Sequence, residues 1–401
     1  MNSAASVADR TQVVRLAARG DGVTAEGQFV AGALPGDHIV DDKIVVGPHH
    51  VAPPCRHFGV CGGCQLQHAD EGVQRDFVAG RILATLATNG IVPETVRPTH
   101  LSPPFSRRRV AMRAERQGDD LVLGFNREGA RTVVDLTECH VMTPGLFEIA
   151  QTLRPVLTAL LPAGWVSGVT LTETRTGVDV LISNLSADAR TISALSSWGR
   201  AVGAARISLE TGGGVETAVQ RTVPMVSFDG IDVELPPGAF LQATADGEAA
   251  LATAVEEIIG DAKTVADLFA GLGTFALPLA KARQVFTADG AGAPIAALAR
   301  AGATRHVRAA HRDLFRRPLS AKELARFDAV VIDPPRAGAK AQIDEIANSS
   351  LDLLAYVSCN PNTFARDAKV LATAGFRLTD LWPVGQFRWS VHVELAARFV
   401  R

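Results

Sequence analysis

The second half of the chain alternates helix-like and strand-like segments, and this alternation constrains the fold more than any other feature. From Leu235 onward, amphipathic segments are interleaved with short apolar runs, of which Thr264 to Phe269 and Ala329 to Ile332 are the clearest. Parallel strands connected by helices produce this pattern. We therefore predict an α/β fold with a doubly wound, Rossmann-like sheet over residues 235–401.

Acidic residues accompany four successive strand-like runs of this half. They are Asp267, Asp289, Asp313 and Asp333. In open parallel sheets, ligands bind at the carboxyl ends of the strands. The turn at Gly271 and Gly273 lacks the third glycine of the dinucleotide fingerprint and a lysine that could hold a pyrophosphate. A nucleoside without phosphates matches this pattern, so we predict S-adenosylmethionine. The alternative is that these residues only end strands or cap helices.

The five cysteines divide into a group of four and one isolated residue. The group comprises Cys55, Cys61, Cys64 and Cys139. The first three form a C-x5-C-x2-C pattern in CRHFGVCGGCQ, which lacks the paired C-x2-C motifs of zinc ribbons. Four thiolates are ligands for zinc or for a 4Fe-4S cluster, and the number of ligands does not distinguish the two.

Cys359 is the isolated cysteine, and it follows the strand-like run Leu353 to Val357 in YVSCNP. A thiol at the carboxyl end of such a strand lies where these sheets bind their ligands. Cys359 is therefore a candidate nucleophile. The alternative is an inert thiol that packs as a small apolar side chain.

Composition describes an ordinary globular chain, with 47% hydrophobic and 20% charged residues. A net charge of -2 gives no overall attraction to nucleic acid, so any polyanion requires local patches. Two arginine-rich segments qualify: Arg107, Arg108, Arg109, Arg113 and Arg116, and then Arg305, Arg308, Arg312, Arg316 and Arg317. No long apolar stretch and no signal-peptide pattern is evident, so we expect a cytoplasmic protein without membrane contact.

Three segments are predicted. Residues 1–51 alternate apolar and polar positions between turn signals and form a short β unit. Residues 52–234 form an α+β segment that contains the grouped cysteines, and residues 235–401 form the catalytic segment.

Several motifs together resemble one enzyme family. VADLFAGLGTFALPLA, VVIDPPRAG, YVSCNPNTFARD and QFRWSVHVELAARF are similar to successive motifs of the RNA uracil-5-methyltransferases, and CRHFGVCGGCQLQH resembles their iron-sulfur segment. The resemblance covers nearly the whole chain. It implies S-adenosylmethionine-dependent methylation of carbon 5 of a uridine in RNA, with a 4Fe-4S cluster on the four grouped cysteines. Residues 11–51 resemble part of a TRAM domain, too short for its complete barrel.

The chemistry of the family explains its residues. Carbon 5 of uracil is a weak nucleophile, and a cysteine thiolate added to carbon 6 makes it enolate-like. The resemblance gives this role to Cys359. It gives Glu394 the role of the general base that removes the hydrogen from carbon 5.

The same resemblance implies cofactor contacts. Gln242 is expected at the methionine portion of the cofactor, Gly271 along the pocket, and Asp289 at the ribose. Asp313 is expected on the adenine side, and Asp333 between the cofactor and the target base.

The expected partner is RNA, without an obligate protein partner. Relatives that act on transfer RNA often lack the cluster, so the cysteines favour 23S ribosomal RNA. The alternatives are a transfer RNA uracil-5-methyltransferase, a small-molecule or protein methyltransferase, and an iron-sulfur RNA-binding or redox-sensing protein on the same fold.

Overall fold

A computed structural model describes residues 11–401 of the chain. The strands are β1 Thr11–Leu16, β2 Gly22–Thr24, β3 Phe29–Val30, β4 His38–Val40, β5 Lys43–Val45, β6 Thr95–Val96, β7 His100–Leu101, β8 Arg109–Gln117, β9 Asp120–Gly124, β10 Val166–Thr174, β11 Gly177–Ser183, β12 Arg206–Thr211, β13 Gly214–Gln220, β14 Met225–Phe228, β15 Ile231–Glu234, β16 Thr264–Leu268, β17 Gln284–Asp289, β18 Val307–His311, β19 Ala329–Ile332, β20 Leu353–Ser358, β21 Arg377–Gly385 and β22 Glu394–Val400. The helices are α1 Glu71–Ala87, α2 Pro144–Leu160, α3 Ala189–Val202, α4 Ala245–Ile259, α5 Ala276–Leu279, α6 Gly292–Ala301, α7 Ala321–Leu324, α8 Lys340–Ala347 and α9 Pro361–Thr373.

The N-terminal strands form a small antiparallel sheet in the order β3-β2-β1-β4-β5. Its buried core consists of Val13, Ala33 and Ile39. The first ten residues of the predicted segment 1–51 lie outside the described residues. The described part is a β unit with strands of two to six residues.

A six-stranded sheet forms the middle of the molecule, in the order β13-β12-β11-β10-β8-β9. All its pairs are antiparallel except β11 with β12. Helices α2 and α3 cover one face, and their apolar residues share one core with those of the strands. The hairpin β14-β15 follows and leads into the C-terminal sheet.

The C-terminal sheet has the order β18-β17-β16-β19-β20-β22-β21, and β6 and β7 pair with the outer side of β21. The five strands β16 to β20 are parallel to one another, whereas β22 runs antiparallel to both of its neighbours. Helices α1, α8 and α9 contribute to the core on one face, and α4, α5 and α6 contribute to the core on the other. The predicted doubly wound α/β sheet is therefore confirmed.

Residues 71–101, which were predicted as part of the middle segment, belong structurally to this sheet. Helix α1 begins at an Asp70 cap, whose side chain accepts a hydrogen bond from the Val73 backbone N–H. Its buried residues pack against α9 and β21. The catalytic sheet is therefore assembled from two separate parts of the chain.

Among the described helices, none is long and apolar enough to cross a membrane.

Candidate active site

Strand pairing brings the predicted nucleophile and the predicted base together. Strands β20 and β22 pair antiparallel, with Ser358 opposite Leu395. One further step in this register places Cys359 opposite Glu394. Paired positions in antiparallel strands have side chains about 5 Å apart on the same face. Both residues line one cavity, of about 930 Å³.

Cys359 lies between the end of β20 and the start of α9. Asn360 caps this helix through its side chain, and Pro361 occupies the first helical position, where a missing N–H costs no hydrogen bond. Asn360 also donates from Nδ2 to the Arg336 carbonyl oxygen at 2.9 Å. This bond fixes the segment after Cys359 against the Asp-Pro-Pro-Arg loop that follows β19.

The carboxylates of the site are difficult to ionise. Burial, with a contribution from the neighbouring Asp333, raises the pKa of Glu394 to about 8. Burial and Asp289 raise the pKa of Asp333 to about 7. Burial raises the pKa of the Cys359 thiol to about 11, and the Glu394 and Asp333 carboxylates add to the rise. Shifted pKa values in one concave site are typical of groups that transfer protons.

The glycine turn after β16 leaves room for a ligand. Gly271 and Gly273 have φ angles of 53° and 94°, in the left-handed region that glycine adopts without strain. A Cβ at Gly271 would meet nothing within 4 Å, whereas one at Gly273 would lie 2.9 Å from the Leu298 side chain. Gly271 therefore borders open space, and Gly273 allows the turn to pack against α6.

The structure also places the remaining predicted cofactor residues. Asp289 ends β17, and Asp313 follows β18 and accepts hydrogen bonds from the backbone amides of Phe315 and Arg316. Gln242 is buried in the loop before α4. Asp267 is fully buried, and neither of its carboxylate oxygens has a hydrogen-bond partner among the described residues. Burial raises the pKa of Asp267 well above its usual value, with Asp333 contributing.

The four grouped cysteines line the same cavity as Cys359 and Glu394. Burial raises the pKa of Cys64 to about 12, and the other three thiols lie close enough to contribute to this rise. Within residues 11–401, no group of three or more His, Cys, Asp or Glu side chains is arranged to hold a metal ion. The predicted metal site is therefore not confirmed.

Residues 55–67, which we call the cysteine loop, also contact the active-site segment. The backbone amides of Gln65 and Leu66 donate to the Trp389 carbonyl oxygen at 2.7 and 2.9 Å. The Gln65 side chain accepts from the Val391 N–H at 3.3 Å. The cysteine loop thus supports the segment that leads into Glu394.

The two predicted arginine patches differ in their surroundings. Arg107 and Arg113 of the first patch line the large cavity. The second patch surrounds β18, at the edge of the sheet. Arg305 precedes this strand, Arg308 lies on it, and the other three arginines follow it. Its Arg312 forms an ion pair with Glu323 at 2.7 Å.

Two polar residues of the site had no role in the sequence predictions. Arg336 lines the cavity, and its positive charge opposes the rise in the pKa of both Cys359 and Glu394. Gln386 is buried beside Gln242 and donates to it. Arg336 occurs in VVIDPPRAG and Gln386 in QFRWSVHVELAARF, two motifs that carried the family resemblance. These motifs were the sequence signal that could have identified both residues.

Comparisons with known proteins identify relatives of the chain. The family model described as tRNA (Uracil-5-)-methyltransferase matches residues 226–399. An uncharacterized RNA methyltransferase of Zymomonas mobilis is 44% identical over 97% of this chain and 99% of its own length. The 23S rRNA (uracil(1939)-C(5))-methyltransferase RlmD of Pectobacterium atrosepticum is 28% identical, over 96% of this chain and 90% of its own length.

Among solved structures, the tRNA (uracil-54, C5)-methyltransferase of Pyrococcus abyssi, in complex with S-adenosyl-L-homocysteine, has a similar fold. Its TM-score is 0.73 at 23% identity, over 98% of this chain and all of that chain.

The relatives define the protein as an RNA methyltransferase. The chain belongs to the RNA uracil-5-methyltransferase family. The enzyme class predicted from the sequence is thereby confirmed.

Proposed function

We propose that the protein methylates carbon 5 of a uridine in 23S ribosomal RNA through a covalent adduct with Cys359. The observation that carries this proposal is the pairing of β20 with β22, which places a thiol and a buried carboxylate side by side. A uridine can reach them only after it leaves the base stack, because both groups line a cavity.

The reaction proceeds in three steps. Cys359 gives its proton to water, and the thiolate adds to carbon 6 of uracil, which places the electron pair on the carbonyl oxygen at carbon 4 as an enolate. Carbon 5 then takes the methyl group from the sulfonium, which leaves as the neutral thioether of S-adenosylhomocysteine. Glu394 removes the hydrogen from carbon 5, and the electron pair expels the thiolate from carbon 6.

The residues around the glycine turn hold the methyl donor in this proposal. Gln242 meets its methionine portion, and the open space beside Gly271 receives the nucleoside. Asp289 binds the ribose, Asp313 lies on the adenine side, and Asp333 separates the cofactor from the target base. Asp267, the fourth acidic residue assigned to the cofactor, is fully buried in β16, just before the turn.

Two observations support ribosomal RNA as the substrate. The P. atrosepticum relative, which is named for 23S rRNA, matches nearly the whole chain. The chain also has the four cysteines. Transfer RNA is the second candidate, because the matching family model is described by that substrate.

A 4Fe-4S cluster is part of the proposal. Thiolates are the usual ligands of such clusters, and Cys55, Cys61, Cys64 and Cys139 border one cavity. The nearby Arg107 guanidinium is buried, which lowers its pKa, while Cys139 and Cys64 act in the opposite direction. A cation at this position suits the negative charge of a cluster bound by four thiolates.

Transcribed 23S rRNA and transfer RNA, incubated separately with purified protein and labelled S-adenosylmethionine, test the proposal. We expect 5-methyluridine in the ribosomal RNA and none with Cys359→Ala. Lys369→Ala, an exposed change on α9, serves as the control and should retain wild-type activity. Methylation of transfer RNA alone would exclude the ribosomal substrate, and normal activity of Cys359→Ala would exclude the adduct.

A further inference from the structure

Gln386 has a buried side chain whose orientation is determined by its neighbours. It is 1% exposed and follows the end of β21. Its Oε1 accepts a hydrogen bond from the Ala243 backbone N–H at 3.1 Å, and its Nε2 donates to Gln242 Oε1 at 2.8 Å. Because a backbone N–H can only donate, the oxygen of Gln386 must face Ala243 and the nitrogen must face Gln242.

This orientation also determines which atoms Gln242 presents to a ligand. Its Oε1 is occupied by Gln386, so its NH2 group remains available as a donor. Gln242 is 2% exposed, and its amide has little freedom to turn around. The site therefore offers N–H donors where the methionine portion of the cofactor, which carries a carboxylate, is expected.

Gln386 reaches the proposed base as well. Val384, two residues before it, pairs with Glu394 across the antiparallel ladder. The Gln386 side chain lies close enough to the Glu394 carboxylate to oppose the rise in its pKa. One amide thus bonds the residue expected at the methyl donor and lies beside the residue expected to remove the proton.

Helix α4 leaves space for this amide. A Cβ at Gly247 would lie 2.6 Å from the Cβ of Gln386 and 3.3 Å from its Oε1. Glycine inside a helix costs roughly 1 kcal/mol relative to alanine. The close approach of Gln386 accounts for glycine at this position.

We propose that Gln386 is a positioning residue for both parts of the reaction: it turns the Gln242 amide toward the methyl donor and places its own amide beside the Glu394 carboxylate. This inference rests on the proposed function, in which these two residues act on the cofactor and on carbon 5.

Gln386→Met tests the inference, because methionine has a similar length and no comparable hydrogen bonds. The full-length variant should bind S-adenosylhomocysteine about tenfold more weakly, as expected for the loss of one buried hydrogen bond. The midpoint of its pH–rate profile should move upward by about 0.5 to 1 unit, since Glu394 loses a neighbour that favours ionisation. Gln386→Asn, which is too short for both contacts, should change both quantities in the same direction if the methionine variant does not fold.

Gln342→Met is the matched control. Gln342 is fully buried in the same sheet domain, and its amide bonds the backbone N–H and carbonyl of Leu319. This variant should lose thermal stability but keep the wild-type cofactor affinity and pH midpoint. If the Gln386 variants behave like this control, Gln386 has only a structural role.

A double-mutant cycle separates this inference from the proposed function, because cofactor binding needs no RNA. Gln242→Ala and Gln386→Met should be non-additive in their effects on S-adenosylhomocysteine affinity. Additive losses overturn the coupling while leaving the methyl-donor site in place. A wild-type protein that does not bind S-adenosylhomocysteine overturns the donor assignment, and the inference with it.

Discussion

Gly271 donates its backbone N–H to Asp289 Oδ2 at 2.9 Å, so a predicted ribose ligand also holds the glycine turn in place. The other oxygen of Asp289 accepts from the Ala291 N–H at 2.6 Å. A single carboxylate therefore connects the turns that follow β16 and β17. Any contact with a ribose uses the lone pairs that these two bonds leave free.

Replacing Asp289 should weaken cofactor binding in two ways. Asp289→Ala removes the support of the Gly271 turn together with the proposed ribose contact. Hydrogen bonds to charged groups contribute about 1.5–3 kcal/mol, so affinity for S-adenosylhomocysteine should fall at least about tenfold. Calorimetry measures the loss, and Asp344→Ala, an exposed change on α8, should have no effect. If the two variants bound S-adenosylhomocysteine with equal affinity, Asp289 would not be a cofactor-binding residue.

Glu394→Gln should stop the reaction after methyl transfer. Glutamine cannot accept the hydrogen from carbon 5, so the methylated RNA should remain attached to Cys359. Denaturing gels should show a protein–RNA complex with ordinary uridine, whereas the wild type should form one only with 5-fluorouridine, which has no hydrogen to remove. Rapid turnover by Glu394→Gln without a complex would assign the base to another residue.

The elimination step should be faster at alkaline pH. The pKa of Glu394 is raised to about 8, and a general base acts only in its ionised form. Single-turnover release of methylated RNA should therefore increase with pH up to about 8 and then level off. A rate that is constant between pH 6 and 9 would contradict a titrating carboxylate in this step.

The same carboxylate should reduce the stability of the fold at high pH. A glutamate whose folded pKa exceeds its unfolded value stabilises the folded state at low pH and loses this contribution as pH rises through the folded pKa. Relative to the wild type, Glu394→Gln should therefore increase the free energy of unfolding at pH 9 more than at pH 5, by on the order of a few kcal/mol. Glu345→Gln, remote from the cavity, is the control. If the difference in stability between Glu394→Gln and the wild type did not change with pH, burial would not disfavour the ionised form of Glu394.

Cys139→Ser should remove the proposed cluster. Anaerobically purified wild-type protein should be brown and contain iron and acid-labile sulfide, and the variant should lose both, together with stability. Ser208→Ala, a buried change on β12 of the six-stranded sheet, should retain the colour. One equivalent of zinc in colourless wild-type protein would identify a different metal.

The buried strands could be predicted from the sequence, because strands covered on both faces are nearly continuous apolar runs. The predicted run Ala329 to Ile332 is β19, and Leu353 to Val357 is one residue shorter than β20. Apolar residues at helical spacing from Val73 to Asn89 predict a helix, and this segment is shifted by two residues from α1, at Glu71–Ala87.

Long-range pairings had no local signal. Strands β6 and β7 have two residues each, and they exist only because β21 offers a free edge. The cavity shared by the cysteine loop and Cys359 depends on contacts between distant parts of the chain. The hydrogen bonds of Gln386 likewise arise from loops that only the tertiary fold brings together.

The position of β22 in the sheet has a consequence for the timing of synthesis. This strand lies between β20 and β21 but leaves the ribosome after both. Helix α1 is synthesised before β21, against which it packs. The interval between them is roughly 15–60 s at a translation rate of about 5–20 residues per second. Until β22 is inserted, Cys359 and Glu394 lie on separate parts of the nascent chain. The two residues proposed for catalysis can therefore come together only after β22 has been synthesised.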